Sequence, residues 1–465
     1  MSQARTVRML AALASIGALL ATAACSSGGS ATSAAPAGTA AASSASGECA
    51  AFASYGDLKG KTISVFTSIA STAEAQPHID SYKPFETCTG ATIKYEGSRD
   101  FEAQLPVRIK AGNAPDIAYI PQPGLLSTLV RNNPGKVVEV GAAAVKNVDT
   151  YYDAGWKSPG TVDGKYYAVP VGANVKSFVW YSPKAFAEKG YQIPNTLDEL
   201  KALSDKIVAD NPDGKVKPWC AGIESGVATG WAATDWVEDF MLRTTTPENY
   251  DKWVSHQIPF NDPAVVAAVD KVGEFLKNPK YVNGGLGDVK TIATTSFTEG
   301  GLPILDGTCY LHRQASFYQA NWPKGTDVSK EGDIWAFYLP GDGASKPVLV
   351  GGEFAAAFQT RPEVQAFQAY LTSPEWSNAK AKATPNGGWL SANKKLDKAN
   401  LTKPMDQLSY DIINDPKSVQ RFDGSDMMPS AVGAGTFWKE MTNWISLDKS
   451  TADVTAAIEK SWPAK

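Results

Sequence analysis

Three short apolar runs, Thr62–Phe66, Ala91–Tyr95 and Asp116–Ile120, are the strongest constraint on the fold. Thr62-Ile63-Ser64-Val65-Phe66 alternates in the period of a half-buried strand, and the other two read the same way. Helix-like segments such as Phe101–Ala111 lie between them. Strands that alternate with helices imply α/β units on a largely parallel sheet. The signals recur downstream. Thr196-Leu197-Asp198-Glu199 is a capping box that predicts a helix through about Ala209. Asp262-Pro263 supplies a cap and a first-turn proline before Val265, Val269, Val272 and Leu276, which share one helical face. Ser373-Pro374 does the same before Glu375, and Trp438, Met441, Ile445, Ile458 and Trp462 predict packed C-terminal helices.

The N-terminal end has a different character. Arg5 and Arg8 precede an almost wholly apolar Met9–Ala21, followed by Thr22-Ala23-Ala24-Cys25. The apolar run is shorter than the roughly 20 residues that span a bilayer and reads as the h-region of a secretory signal, residues 1–24. A cysteine directly after small residues predicts cleavage before Cys25 and lipid attachment to its sulfur; an ordinary secreted protein is the alternative. Thr22 stands where the usual lipobox has an aliphatic residue. The Ser-, Ala-, Gly- and Thr-rich stretch up to residue 48 cannot bury a core and is expected to act as a flexible tether, 25–48. About 415 residues then remain, enough for two domains with interleaved segments.

The formal charge is −4, and removal of Arg5 and Arg8 makes the mature chain more acidic. No basic block exists, which argues against nucleic acid as a partner. Once Cys25 is set aside, Cys49, Cys88, Cys220 and Cys309 form an even set for an oxidising compartment, with three pairings open. Cys49–Cys88 with Cys220–Cys309 is favoured, because the first would staple the chain's entry to the first strand–helix unit. Zinc is disfavoured by the lack of C-x-x-C and by three scattered histidines; neither metal nor cofactor is expected.

Enzyme signatures fail on inspection. Gly60-Lys61-Thr62 resembles the end of a phosphate loop, but Gly56 is one residue too close and a strand follows instead of preceding it. There is no H-E-x-x-H and no G-x-S-x-G, and Ser391-Ala392-Asn393-Lys394 is a lone short match to S-x-x-K. Glu238 and Asp239 are adjacent on a predicted helix, so they point apart and poorly suit a glycosidase pair. All thirteen tryptophans lie beyond the tether, a supply that suits both core packing and ligand stacking.

Several stretches, taken in order, resemble the extracellular solute-binding proteins of bacterial ABC importers, in the carbohydrate-binding branch. Gly112-Asn113-Ala114-Pro115-Asp116-Ile117 is similar to that family's G-x-x-P-D-I. Asp163–Val171 followed by Val179-Trp180-Tyr181-Ser182-Pro183-Lys184-Ala185-Phe186 resembles its G-K-x-Y-x-x-P and W-Y-N-K-x-x-F segments, with Ser182 for the usual Asn. Gly190–Leu200 resembles G-x-x-x-P-x-T-W-x-E-L, with Leu197 for Trp. Gly230–Asp239 and Leu311–Phe317 look like segments of the actinobacterial α-glucoside-binding lipoproteins, and the four cysteines fit that group.

The resemblance implies an α/β, two-lobed periplasmic-binding-protein-like fold of type II, with ligand in the cleft. Carried onto this chain, lobe 1 is expected at 49–170 plus 293–352 and lobe 2 at 171–292 plus 353–465. Crossings are expected near Val169–Val171, Ile292 and Gly351–Gly352, with the last helices on lobe 2.

A sugar offers in-plane hydroxyls and C–H faces, so its site needs flat aromatics beside carboxylate, amide or guanidinium groups. Asp100 and Gln122 follow predicted strands, where ligands of open α/β sheets gather; a helix cap and a plain turn amide are their structural alternatives. Trp231 is the leading stacking platform, and Asp235 is a candidate hydroxyl acceptor, with capping or an ion pair as its alternative. Arg313 and Gln314 follow a predicted strand Thr308–Leu311, with a buried ion pair as the alternative for Arg313. Glu353 follows the glycine pair and faces the cleft in the family fold, and Trp389 sits in a glycine-rich loop. Trp180, Trp253 and Trp444 are assigned to packing.

Together these readings predict a monomer, lipid-anchored on the extracytoplasmic face of the cell membrane. It would bind a small sugar, expected to be an α-glucoside or small oligosaccharide, close around it, and deliver it unreacted to the membrane subunits of an ABC permease. An extracellular glycoside hydrolase and the same fold binding another solute are the competing readings.

Overall fold

The computed structural model describes residues 47–283, 288–341 and 346–464. The signal segment, Cys25 and the tether up to residue 46 lie outside the described residues. The described chain begins in a 3-10 helix, Gly47–Tyr55. Cys49 in that helix is bonded to Cys88, and Cys220 to Cys309, with Cα separations of 5.3 Å and 5.6 Å; both are the favoured pairs.

Strand β1 (Thr62–Thr67), helix α1 (Thr72–Thr89), β2 (Thr92–Gly97), α2 (Phe101–Ala111) and β3 (Ile117–Ile120) follow the predicted alternation. Helix α1 stops at Gly90, whose φ of 78° lies in the left-handed region and lets its N–H donate to the Glu86 carbonyl. The chain then forms β4 (Ala168–Pro170) and crosses through β5 (Asn174–Val175) to β6 (Phe178–Tyr181). Helix α3 (Leu197–Asp210) is capped by the Thr196 side chain, which accepts from the Glu199 N–H, as the capping box predicts. Next come β7 (Lys217–Cys220), α4 (Trp231–Thr244), α5 (Pro263–Leu276), β8 (Val282–Asn283), β9 (Cys309–Arg313) and β10 (Trp335–Tyr338). The chain returns through β11 (Pro347–Gly351) to β12 (Phe354–Ala357), then α6 (Pro374–Lys382), β13 (Val419–Phe422), α7 (Trp438–Ser446) and α8 (Thr451–Glu459).

Two five-stranded sheets result, in the orders β2-β1-β3-β12-β4 and β8-β7-β9-β6-β10, with a three-stranded β13-β11-β5 sheet formed by crossing segments. In each large sheet three neighbouring strands are parallel and the other pairings are antiparallel. The parallel strands are linked by helices. Strands that arrive from or depart to the other sheet need no helical crossover, so they can pair antiparallel.

Sheet membership corrects the expected lobe boundaries. Strands β9 and β10 lie within 293–352, yet both pair into the second sheet, and β12, expected with lobe 2, pairs with β3 and β4 in the first. Ile292 is not a crossing: its carbonyl accepts from the Ile223 N–H beside the second sheet. Helix α6 packs on α1, so 374–382 also belongs with the first sheet, whereas α7 and α8 pack on α4 and α5 as expected. The chain passes between the sheets at 171–177 and at 346–353, and again between α6 and α7, where β13 joins the crossing sheet. Gly351 and Gly352 do sit at a crossing, and space is what keeps them glycine. A Cβ at 351 would lie 2.7 Å from Lys176 Cε and one at 352 would lie 2.2 Å from the Gly172 carbonyl oxygen.

Trp180, Trp253 and Trp444 are buried in the core, as assigned. Among the described residues no helix is long and apolar enough to cross a membrane.

Candidate ligand-binding site

A cavity of ≈ 380 Å³ opens where elements of both large sheets meet. Its first wall is built from loops at the carboxyl ends of β1 and β3 (Ser68–Ser71, Pro121, Gln122) together with α1 and α6, the place where open α/β sheets gather ligands. The second wall carries Trp231, Phe297, Phe317 and Trp438, and the crossing segments add Lys176, Gly352 and Glu353 between the walls.

Four of the eight candidates line this cavity: Gln122, Trp231, Glu353 and Trp389. Trp231 opens α4 directly after Gly230, whose φ is 113°. A Cβ on Gly230 would lie 2.1 Å from the Trp438 carbonyl oxygen, so the turn that presents Trp231 requires glycine. The Trp231 ring meets Phe297 at 5.1 Å and Phe317 at 6.0 Å, and the Lys176 ammonium stands 5.5 Å from its centroid. Gly387 and Gly388 hold Trp389 in place, both at positive φ; a Cβ at 387 would fall on the Gln319 amide.

The other four candidates do not reach the wall. Asp100 stands exposed before α2 without capping it through its side chain, and its neighbour Arg99 lines the cavity instead. Arg313 lies inside β9, not after it, and is fully buried. It bonds Asp235 at 2.9 Å and Asp239 at 2.5 Å. Asp235 also bonds Lys176 at 3.0 Å, so the ion-pair alternatives for Asp235 and Arg313 describe what is seen. Gln314 is buried and accepts from the Ala315 N–H. The strand extends two residues past its expected end because β6 continues to pair with it through Arg313.

Lys176 is the centre of this network. It bonds Asp235 and Asp423, joining a crossing segment to α4 and to the residue after β13. Burial alone would lower its pKa; the facing carboxylates outweigh burial and hold it well above the usual lysine range. Oxygens of Asp235, Glu238 and Asp423 converge within 4.8 Å, a donor set that a divalent cation could use. The Lys176 ammonium already bonds two of the three, so the protein supplies its own counter-charge there.

Sequence reasoning passed over Glu74, His78, Glu102, Lys176, Phe297 and Lys380 on the wall. Burial pushes Glu102 up to about 7 and, with the nearby Glu74, Glu353 up to about 6. Burial lowers Lys380 to about 7 and His78 well below the ordinary histidine value. His78 Nδ1, Glu102 Oε2, Gln122 Oε1 and Trp389 Nε1 are buried, on residues of the wall, and without a hydrogen-bond partner among the described residues. Such groups cost free energy unless something bonds them. Flat rings beside unpaired donors and acceptors suit a compact ligand with apolar faces and a polar edge.

The profile of the bacterial extracellular solute-binding protein family matches residues 66–378. This chain belongs to that family. The solute-binding protein is 41% identical to the osmoprotective compounds-binding protein GgtB of Synechocystis sp. over 82% of this chain and 87% of that one. It is 38% identical to the alpha-glucosides-binding periplasmic protein AglE of Rhizobium meliloti over 87% of this chain and 88% of that one. Its fold matches that of the solute receptor AcbH, described as preferring β-D-galactopyranose, with a TM-score of 0.71 at 17% identity, over 86% of this chain and 98% of that one. The solute-binding protein therefore has the two-lobed architecture of type II binding proteins.

Proposed function

We propose that this protein is the capture component of a bacterial ABC importer and takes an uncharged sugar, an α-glucoside or small oligosaccharide, in the cavity between its sheets. The carrying observation is the wall itself: ring faces from Trp231 and Trp389 beside buried donors and acceptors without partners among the described residues, contributed by both halves. Since each half holds only part of this surface, ligand favours the state in which both halves touch it. The Arg99–Glu224 ion pair, 2.6 Å long, links the loop after β2 to the segment after β7 and would favour the closed state. The extended relative named for alpha-glucosides supports the sugar class. Lipid attachment at Cys25, a 25–48 tether and a removed 1–24 signal would keep the monomer at the extracytoplasmic face of the cell membrane, where a permease accepts the closed form. No step alters the ligand.

A thermal-shift screen of mono- and disaccharides on the mature protein tests this. It should include neutral osmolytes, given the relative named for osmoprotective compounds. Ligand at a hundred times its Kd stabilises by about 2.7 kcal/mol, and chromatography should recover the sugar unchanged. No shift with any neutral saccharide, or recovery of cleaved sugar, would overturn the reading.

A further inference from the structure

We propose that Lys380 and Glu353 form a donor–acceptor gap that takes one hydroxyl of the ligand and makes the site select uncharged polyols over charged ones. This deepens the proposed sugar reading and rests on it. Lys380 lies on α6, is 1% exposed, and stands on the cavity wall. Its ammonium has three donors and one hydrogen-bond partner among the described residues, Thr384 Oγ1 at 3.3 Å. It lies 5.1 Å from the centroid of the Trp389 ring and forms no ion pair among the described residues, although Glu353, Glu74 and Asp406 act on it through space. The other buried cations among the described residues, Lys176, Arg243 and Arg313, are ion-paired.

Glu353 mirrors it. Its carboxylate lines the cavity and bonds no other side chain among the described residues. Its Oε2 lies 2.0 Å from where a Cβ on Gly172 would be, so the glycine leaves the carboxylate its place. A carboxylate only accepts and an ammonium only donates, whereas a hydroxyl does both. One hydroxyl between them donates to Glu353 and accepts from Lys380, each bond charge-assisted. An anionic group that reaches Lys380 also meets Glu353 and Glu74 on the wall, with Asp406 acting through space; a cationic group that reaches Glu353 also meets Lys380, and Lys176 from the crossing segment. His78 on α1 also faces Lys380 and stays neutral. A neutral hydroxyl meets no opposing charge.

The test uses whichever of maltose, trehalose or sucrose gives the largest thermal shift, titrated calorimetrically. Lys380→Met and Glu353→Gln should each lower affinity at least tenfold at pH 6.5. The double variant should lose no more than the worse single variant, because both act on one hydroxyl. Wild-type affinity should peak between about pH 6 and 7, where both groups are charged. Lys380→Met should lose the alkaline limb and Glu353→Gln the acid limb, while ligand-free Tm should not fall in Lys380→Met. On the wild type alone, which guards against misfolded variants, the uronic-acid and amino analogues of the same disaccharide should bind at least tenfold more weakly than the neutral form. Variants that bind within twofold of wild type with unchanged pH limbs, or charged analogues that bind as well as the neutral sugar, would overturn this inference alone. A wild type that binds no neutral sugar would overturn the sugar reading and this inference with it.

Discussion

Replacing Trp231 by alanine removes the largest ring face offered by the second wall while leaving the cavity's polar groups in place. A tryptophan buries 150–250 Å² in total, so a sugar laid on one face covers on the order of 100 Å². At about 25 cal/mol per Å² this is roughly 2.5 kcal/mol, which weakens binding by roughly 30- to 150-fold. The fold should tolerate the change. Trp231 is only half-buried, the following turns of α4 from Ala232 to Arg243 are buried, and Phe297 and Phe317 remain as neighbours. Trp231→Phe keeps a smaller ring and should recover part of the loss. Calorimetric titration with the best neutral disaccharide, beside a Tm measured without ligand, separates the two effects. A Kd within twofold of wild type in a folded Trp231→Ala protein would refute the stacking role and the orientation argued from Gly230.

Arg99→Ala removes the partly exposed pair to Glu224, worth about 0.2–1 kcal/mol for such a pair. Sugar should then dissociate up to roughly fivefold faster in stopped-flow at low salt, with no difference at 1 M salt, where exposed charges are screened. Asp239→Asn strips a carboxylate from the buried Arg243 and Arg313 guanidiniums and should cost about 3–5 kcal/mol, read as a large fall in Tm with ligand affinity of the folded fraction nearly unchanged. Replacing Cys220 and Cys309 by serine opens a crosslink between residues 89 apart, with an expected loss on the order of 4 kcal/mol in denaturant unfolding. Glu102, Glu353 and Asp406 have folded pKa values of about 7, 6 and 7, above their unfolded values. At these three groups the native state therefore binds more protons than the unfolded chain between about pH 4 and 7, a contribution to ligand-free stability that falls as pH rises, while His78 and His312, held below the ordinary histidine value, contribute in the opposite sense below about pH 6.5. Glu102→Gln removes one of these carboxyl protons and should shift the slope of Tm against pH between 5 and 7 upward; an unchanged slope would contradict the burial of that carboxyl.

Local signals were legible where one element decides them. The alternation at 62–66, the helix Phe101–Ala111 and the Thr196 cap recur in the structure because period, capping chemistry and turn residues act within a few positions. The favoured Cys220–Cys309 pair also held a clue that sequence reasoning left unused. A bond between them requires β7 and β9 to lie close together, which they do as parallel neighbours, and this already rules out placing 309 in the other lobe. Arg313 and Asp235 read alike as ligand groups or as an ion pair, since both uses need the same side chains. Burial chose between them.

By itself, the sequence determined the element types, an even set of four cysteines and the ring-rich composition, all properties of short segments or of chemistry carried by single residues. Which strand joins which sheet was decided only by tertiary structure, because hydrogen-bond pairing is non-local and short apolar strands fit either sheet. The same holds for Lys380, and for the lack of a side-chain partner at Glu353, a residue the family resemblance had already named as a ligand candidate. Nothing near either in the chain marks it as unpaired, and only packing that removes water while withholding a counter-ion turns an ordinary lysine and glutamate into groups that need a ligand.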